Sequence, residues 1–178
     1  VTGETSVGGL AGENLEGTIT NSYSTSEVEG IEKVGGLVGS ASGEIYYCYS
    51  TGGVSGTANF GGLVGHNTVP ATGSYWDIET SGLDHSATGA GLSTVQMQSL
   101  ITYLEGGWGG CGNAGEWTID DGNDYPHLAW EGQVGMVISG ELSDILEGAG
   151  TAEEPYLIYN AAVSYTHLRA HETVLDLV

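Results

Sequence analysis

Apolar residues in the first eighty positions stand singly or in pairs between glycines and small polar residues, and they return at a fixed interval. Val7–Gly12 reads VGGLAG, Val34–Gly39 reads VGGLVG and Phe60–Gly65 reads FGGLVG, spacings of 27 and 26 residues. The surroundings repeat in step: Tyr23, Tyr49 and Tyr75 are 26 apart, as are Ser22, Cys48 and Ser74, and as are Val28 and Val54. No copy shows the i, i+3, i+4 apolar spacing of a helix. Ile19, Val28, Ile45 and Val54 are β-branched and sit among Gly, Ser, Thr and Asn, which predicts three short strands per unit. A unit of that size buries little by itself, so the pattern predicts coils stacked about 4.8 Å apart with equivalent residues in ladders. Val7, Val34 and Phe60 are then expected on the core side with Leu10, Leu37 and Leu63. The paired glycines between them are expected to turn a corner with positive φ, and Ser22, Cys48 and Ser74 to line a tight interior corner.

After Tyr75 the third copy departs from the pattern. YWDIETSG (Tyr75–Gly82) places Trp76 where a cap over the stack is expected, and a glycine-rich linker is expected over Thr88–Leu92. The next segment, STVQMQSLITYLEGG, predicts one helix: Ser93 and Gln96 form a capping box, Met97, Leu100, Ile101 and Leu104 share a face, and Gly106 stops it. Trp117 with Ile119, and Leu128 with Trp130, alternate on either side of an acidic turn and predict two strands. A further strand is expected over Gly135–Ser139. The reading is mostly β: a β-solenoid, parallel β-helix-like, of about three 26-residue coils, then a small α+β capping segment and the start of another β block. The expected divisions are 1–82, 83–134, 135–161 and 162–178.

The hexapeptides, followed in the first two copies by Y-S-T and V-x-G, resemble GLUG repeats of bacterial secreted and surface proteins, including adhesin-like chains and non-catalytic regions of immunoglobulin A peptidases. The likeness covers roughly a third of the chain and implies a β-solenoid in an exported protein without implying chemistry. The succession YWDIETSG, helix, DYPxLxWE is similar to segments that follow GLUG arrays. GAGTAEEPYLIYNA (Gly148–Ala161) resembles the opening of another right-handed parallel β-helix block, so the chain reads as one slice of a longer protein. VSYTHLRAHET, from Val163, resembles instead a translated sequencing adapter, and Val163–Val178 is set aside from fold reasoning. His167, Arg169, His171 and Glu172 are therefore not offered as a metal or catalytic cluster.

The full chain carries a formal charge of −21. Setting aside Glu172 and Asp176 leaves 21 of the 23 acidic residues, and setting aside Arg169 leaves Lys33 as the single base, a charge of −20. Nucleic acid is an unsuitable partner for such a surface, since phosphate binding needs basic groups, and anionic membranes are disfavoured on the same ground. No apolar run reaches transmembrane length. The composition suits extracellular surroundings with salt or calcium. Cys48 and Cys111, 63 apart, have no metal-type spacing, and a disulfide between them is left open.

Candidate chemistry is sparse. Asp120, Asp121, Asn123 and Asp124 supply oxygens but lack the order of a calcium loop, and Asp77, Glu79 and Asp84 are dispersed. His66, His85 and His127 have no zinc spacing, and no G-x-S-x-G elbow is present. The trimmed chain offers one base, Lys33, which argues against lyase chemistry on acidic glycans. No catalytic, cofactor or metal residue is assigned. Tyr46, Tyr47 and Tyr49 form an aromatic run expected to be exposed; Tyr49 belongs to the ladder, which leaves Tyr46 and Tyr47 as candidate contacts for glycans or proteins. The expected role is a non-enzymatic structural or adhesive segment of a large secreted or cell-surface protein. The alternatives are an accessory module of an exported peptidase or glycan-active hydrolase, or a calcium-stabilised glycan-binding domain.

Overall fold

In a computed structural model, which describes residues 1–110 and 115–139 and the backbone of 146–147 and 157–158, the repeats wind into a parallel β-solenoid. The first coil contributes β1 (Thr5–Gly8), β2 (Ala11–Asn14), β3 (Thr18–Thr20), β4 (Tyr23–Ser24) and β5 (Val28–Glu29). The second repeats them as β6 (Glu32–Gly35), β7 (Val38–Ala41), β8 (Glu44–Tyr46), β9 (Tyr49–Ser50) and β10 (Val54–Ser55). The third has β11 (Ala58–Gly61), β12 (Val64–Asn67), β13 (Ala71–Thr72) and β14 (Tyr75–Asp77). All pairings between coils are parallel and in the register of the repeat: Val7, Val34 and Phe60 are partners, as are Ala11, Val38 and Val64, and Tyr23, Tyr49 and Tyr75. The first two units thus hold five short strands and the third four, where three were expected, because bends at the glycine pair and at residues 21, 47 and 73 subdivide longer stretches.

The expected single core divides in two. Val7, Val34 and partly buried Phe60 pack with Val28 and Val54, whereas Leu37 and Leu63 belong with Val38, Val64, Ala41, Ile45, Cys48 and Trp76. Leu10 is 48% exposed while Leu37 and Leu63 are fully enclosed. The glycine pairs separate the compartments, and the expectation of positive φ there is corrected: residues 8, 9, 35, 36, 61 and 62 are not among the positive-φ positions. They are glycines for lack of space. A Cβ on Gly9 would strike Ser24, one on Gly36 would strike the Gly62 carbonyl and come within 2.9 Å of the Ser50 hydroxyl, and one on Gly62 would strike Trp76. The walls of the coil touch here, and the Ser50 hydroxyl donates to the Gly62 carbonyl at 2.7 Å.

Positive φ falls on two other ladders, Ser6, Lys33 and Asn59, and Asn21, Tyr47 and Gly73. The second ladder explains its neighbour. Ser22 Oγ donates to the Thr20 carbonyl, Cys48 Sγ to that of Tyr46 and Ser74 Oγ to that of Thr72, at 2.8, 3.1 and 3.0 Å. Each closes the turn around the left-handed residue, so position 22/48/74 requires a short side chain that can donate.

Beyond β14 the chain does not leave the stack. Asp77 caps α1 (Ile78–Ser81) through the amides of Glu79 and Thr80, and Gly82 ends it with φ of 73°. The segment expected as linker is instead part of a fourth rung: β15 (Ala90–Leu92) pairs in parallel with β14, and Ser86 Oγ accepts from the amides of Leu63 and Val64. Trp76 fills the coil interior in register with Ser24 and Ser50, 6% exposed, beneath Gly91 of that rung, so it is an internal plug and not an external lid.

The single expected helix is two, α2 (Thr94–Met97) and α3 (Leu100–Glu105). The capping box at Ser93 and Gln96 forms as expected. The break at Gln98 and Ser99 is held by the acidic turn, where Gly122 N–H donates to Gln98 O and Asp121 accepts from Leu100 N–H, both at 2.7 Å. β16 (Trp117–Ile119) pairs antiparallel with β17 (His127–Leu128) and β18 (Met136–Val137). Trp130, expected with Leu128 on a strand, lies on a 3-10 turn (Ala129–Glu131) and is 78% exposed. The backbone at Leu146–Glu147 pairs antiparallel with Leu157–Ile158, unlike the parallel rungs of the array. Cys111, most of Gly148–Ala161 and the adapter-like tail lie outside the described residues.

Candidate functional site

The repeated tyrosines face out of the coil, and the segment from Ser93 onward lies against them. Tyr49 is 1% exposed and enters one cluster with Met97, Leu100, Tyr103, Leu104, Trp108, Trp117, Ile119 and Ile138, with Tyr23, Tyr47, Tyr75 and Tyr125 at its margin. Tyr23 and Tyr49 stack with centroids 5.0 Å apart and planes at 8°. Tyr75 does not continue that ring stack: Trp108 stacks on it at 6.3 Å and 19°, and also meets Tyr49, Tyr103 and Trp117. Edge-on and offset contacts of this kind add about 0.5–1.5 kcal/mol per pair to area burial.

The polar tips fix the layer onto each coil in turn. In the first, Trp117 Nε1 donates to Asn21 Oδ1 at 3.2 Å and the Tyr23 hydroxyl to Glu131 at 2.8 Å. In the second, the Tyr49 hydroxyl donates to the Pro126 carbonyl at 2.6 Å. In the third, Trp108 Nε1 donates to the Gly73 carbonyl at 2.7 Å. Asn21 and Gly73 are members of the positive-φ ladder, so in the first and third coils the bend itself presents the acceptor. Among the described residues no buried side-chain nitrogen or oxygen lacks a hydrogen-bond partner, as a tightly packed interface requires.

Burial sets the titration of this layer. The Tyr49 and Tyr103 phenols are pushed well up by desolvation. Tyr23 is raised to about 12 by burial and then by its bond to Glu131, and Tyr125 to about 12 by burial and then by its bond to Asp77. The Cys48 thiol is likewise pushed up to about 12 by burial, which suits a turn-closing donor and not a nucleophile.

The two tyrosines singled out from the sequence are separated by the fold. Tyr47 is half-buried and meets Trp108 edge-on at 6.4 Å, so it belongs to the margin of the docked layer. Tyr49, expected at the surface, is buried by the same layer. Tyr46 lies on the outer side of β8 between its register partners Thr20 and Thr72, half-exposed, with its phenol raised first by a hydrogen bond to Glu44. Thr18 and Glu44, register partners of each other, lie on the same sheet face.

The acidic residues serve structure where they converge. Asp77, fully buried, accepts from two α1 amides, from Thr94 Oγ1 at 2.7 Å and from the Tyr125 hydroxyl at 2.6 Å, tying the last coil to the helices and the acidic turn. Asp120 and Asp124 are taken up within their own turn: Asp120 accepts from Asn123 Nδ2, and Asp124 from Tyr125 N–H. His127 lies 3.3 Å from Asp124 and 3.4 Å from Glu131. His85 packs edge-on to Phe60, and His66 is exposed on β12. Among the described residues no group of three or more His, Cys, Asp or Glu is arranged to hold a metal, and no helix is long and apolar enough to cross a membrane. The sequence pattern marks Asp77 only as a dispersed acid and Trp117 only as a strand residue, and it gives no role to Trp108, Asn21 or Glu131; the available signal is that all four tryptophans lie at or beyond the end of the array.

The model of the GLUG motif matches residues 3–29 and 32–55, the first two coils. A protein of Evansella cellulosilytica named Gly-rich membrane protein is 39% identical over 123 residues, 68% of this chain. The chain spans 11% of that relative's length. No solved structure matches it.

Proposed function

We propose that the chain, whose first two coils match the GLUG motif, is a non-catalytic module of a large cell-surface protein, a rigid end section of a repeat rod that presents side faces for weak, repeated contacts. The aromatic layer carries this reading: it bonds to all three coils and makes stack and α+β segment one body. The relative's name and its much greater length support a place at the cell envelope and a multi-block context. A non-enzymatic role is supported by how the ionisable side chains are used, since Asp77, Glu131, Tyr23 and Tyr125 are held in structural hydrogen bonds.

The adhesive part of the proposal rests on the outer face around Tyr46, where hydroxyls and one carboxylate flank an aromatic ring, a composition that suits uncharged sugars. Retention of the protein on insoluble polysaccharides, compared with Tyr46→Ala, tests it. About tenfold weaker retention of the variant, at unchanged melting temperature, is expected; equal retention refutes a contact at this face.

A further inference from the structure

The docked layer is rich in acids and nearly without cations. From Ser93 to Ser139 the chain has six Asp and Glu, no Lys or Arg, and one histidine, His127. That histidine stands where three elements meet. Its Nε2 lies 3.3 Å from Asp124 Oδ2 of the acidic turn, its Nδ1 lies 3.4 Å from Glu131 Oε2 of the 3-10 turn, and its ring meets Tyr23 of β4 edge-on at 6.4 Å. Glu131 is itself shared: the Tyr23 hydroxyl donates to Oε1 at 2.8 Å and Leu128 N–H to Oε2 at 3.2 Å. Both of those donors are neutral.

A neutral imidazole carries one N–H and one lone pair, so it can donate to one of these carboxylates while its other nitrogen faces an oxygen that offers no proton. An imidazolium donates to both at once. We infer that His127 is a proton-dependent clasp: doubly protonated, it bridges Asp124 and Glu131 and tightens the layer on the first coil through the bond between Glu131 and Tyr23; neutral, it releases one side. The titratable groups that meet it are Asp124 from the acidic turn, Glu131 from the 3-10 turn and Tyr23 from the coil. From β16, Thr118 Oγ1 reaches only the His127 carbonyl. Over the range in which histidine ordinarily changes charge, the Tyr23 phenol, raised to about 12, stays protonated and keeps its bond to Glu131. The clasped form holds a proton that the unfolded chain gives up more readily, so its contribution is present at lower pH and is lost as pH rises. The inference is independent of whether the rod adheres to anything.

The test compares the full chain with His127→Gln by native-state hydrogen exchange at about pH 5.5 and about pH 8, on either side of histidine's ordinary range, with rates expressed as protection factors. In the full chain the amides of Trp117–Ile119 and Ala129 are expected to be about fivefold better protected at the lower pH, the scale of partly exposed ion pairs. His127→Gln should lose that difference, and because His66 and His85 remain in both chains the comparison isolates His127. Glu131→Gln keeps an oxygen for the Tyr23 hydroxyl and removes one of the two carboxylates, so it should shrink the difference. An equal difference in His127→Gln, or protection in the full chain that does not fall as pH rises, would overturn the inference. Should His127→Gln fail to hold the layer at either pH, an undiminished difference in Glu131→Gln would overturn it instead.

Discussion

The inside of the coil and the layer on its tyrosine face are built on opposite principles. Inside, the residues are small, the walls touch, and the same contact is made again one rung up: Gly9 against Ser24, Gly36 against Ser50, Gly62 against Trp76. In the layer, rings are large, no contact recurs, and partners lie far apart in sequence, from Trp108 to Gly73 and from Tyr23 to Glu131. Repetition gives a scaffold whose register is set by backbone ladders. The unrepeated layer gives that scaffold a defined end and ties its coils together.

The contrast is broken most severely by Trp108→Ala, which empties the centre of the layer and is expected to cost about 4 kcal/mol. Thermal melting should then show the near-ultraviolet aromatic signal collapsing before the far-ultraviolet β signal. Leu37→Ala, in the coil, should cost about 3 kcal/mol and lower both signals together, because the layer has no footing without the coil. Gly36→Ala sharpens the same point at about 2 kcal/mol by overpacking, the added methyl meeting the Gly62 carbonyl. Tyr49→Phe removes the donor to the buried Pro126 carbonyl and should cost about 1–2 kcal/mol. Cys48→Ser keeps the turn-closing bond to Tyr46 and should stay within about 1 kcal/mol of the parent in denaturant titration.

Alkali should separate the two regions by chemistry. Tyr23 and Tyr125 titrate near 12 when folded and near 10 when unfolded. The folded state therefore holds protons that the unfolded state releases, and the contribution of these two tyrosines to stability is fully present below pH 10 and is lost as pH rises from 10 towards 12. Tyrosinate absorbance and loss of the layer should appear together over that range.

Much of the coil was legible because its information is local and repeated. Hexapeptide spacing predicted the parallel ladder of Val7, Val34 and Phe60 and the small residues at 22, 48 and 74. The glycine pairs were misassigned to positive φ because their actual constraint, the opposite wall at Ser24, Ser50 or Trp76, is a contact across the coil that periodicity does not display. The fourth rung was hidden for a related reason: Ser86 and β15 bond to the stack without carrying its motif. Tyr49 was expected outside because nothing in the repeat says that an unrelated segment covers it. The single helix fails at Ser99 for the same cause, since the turn at Asp121 and Gly122 is what interrupts it. Tyr46 was placed on an outward face, and its neighbour Tyr47 was claimed by Trp108.

The claim that an unrepeated aromatic layer is docked on an otherwise self-sufficient ladder is tested most directly by native-state hydrogen exchange on the full chain and on Trp108→Ala. Amides of Leu100–Glu105 and Trp117–Ile119 should lose most of their protection in the variant, while those of Val34–Val64 keep most of theirs. Uniform loss across both regions would contradict the account, as would undiminished protection of the layer.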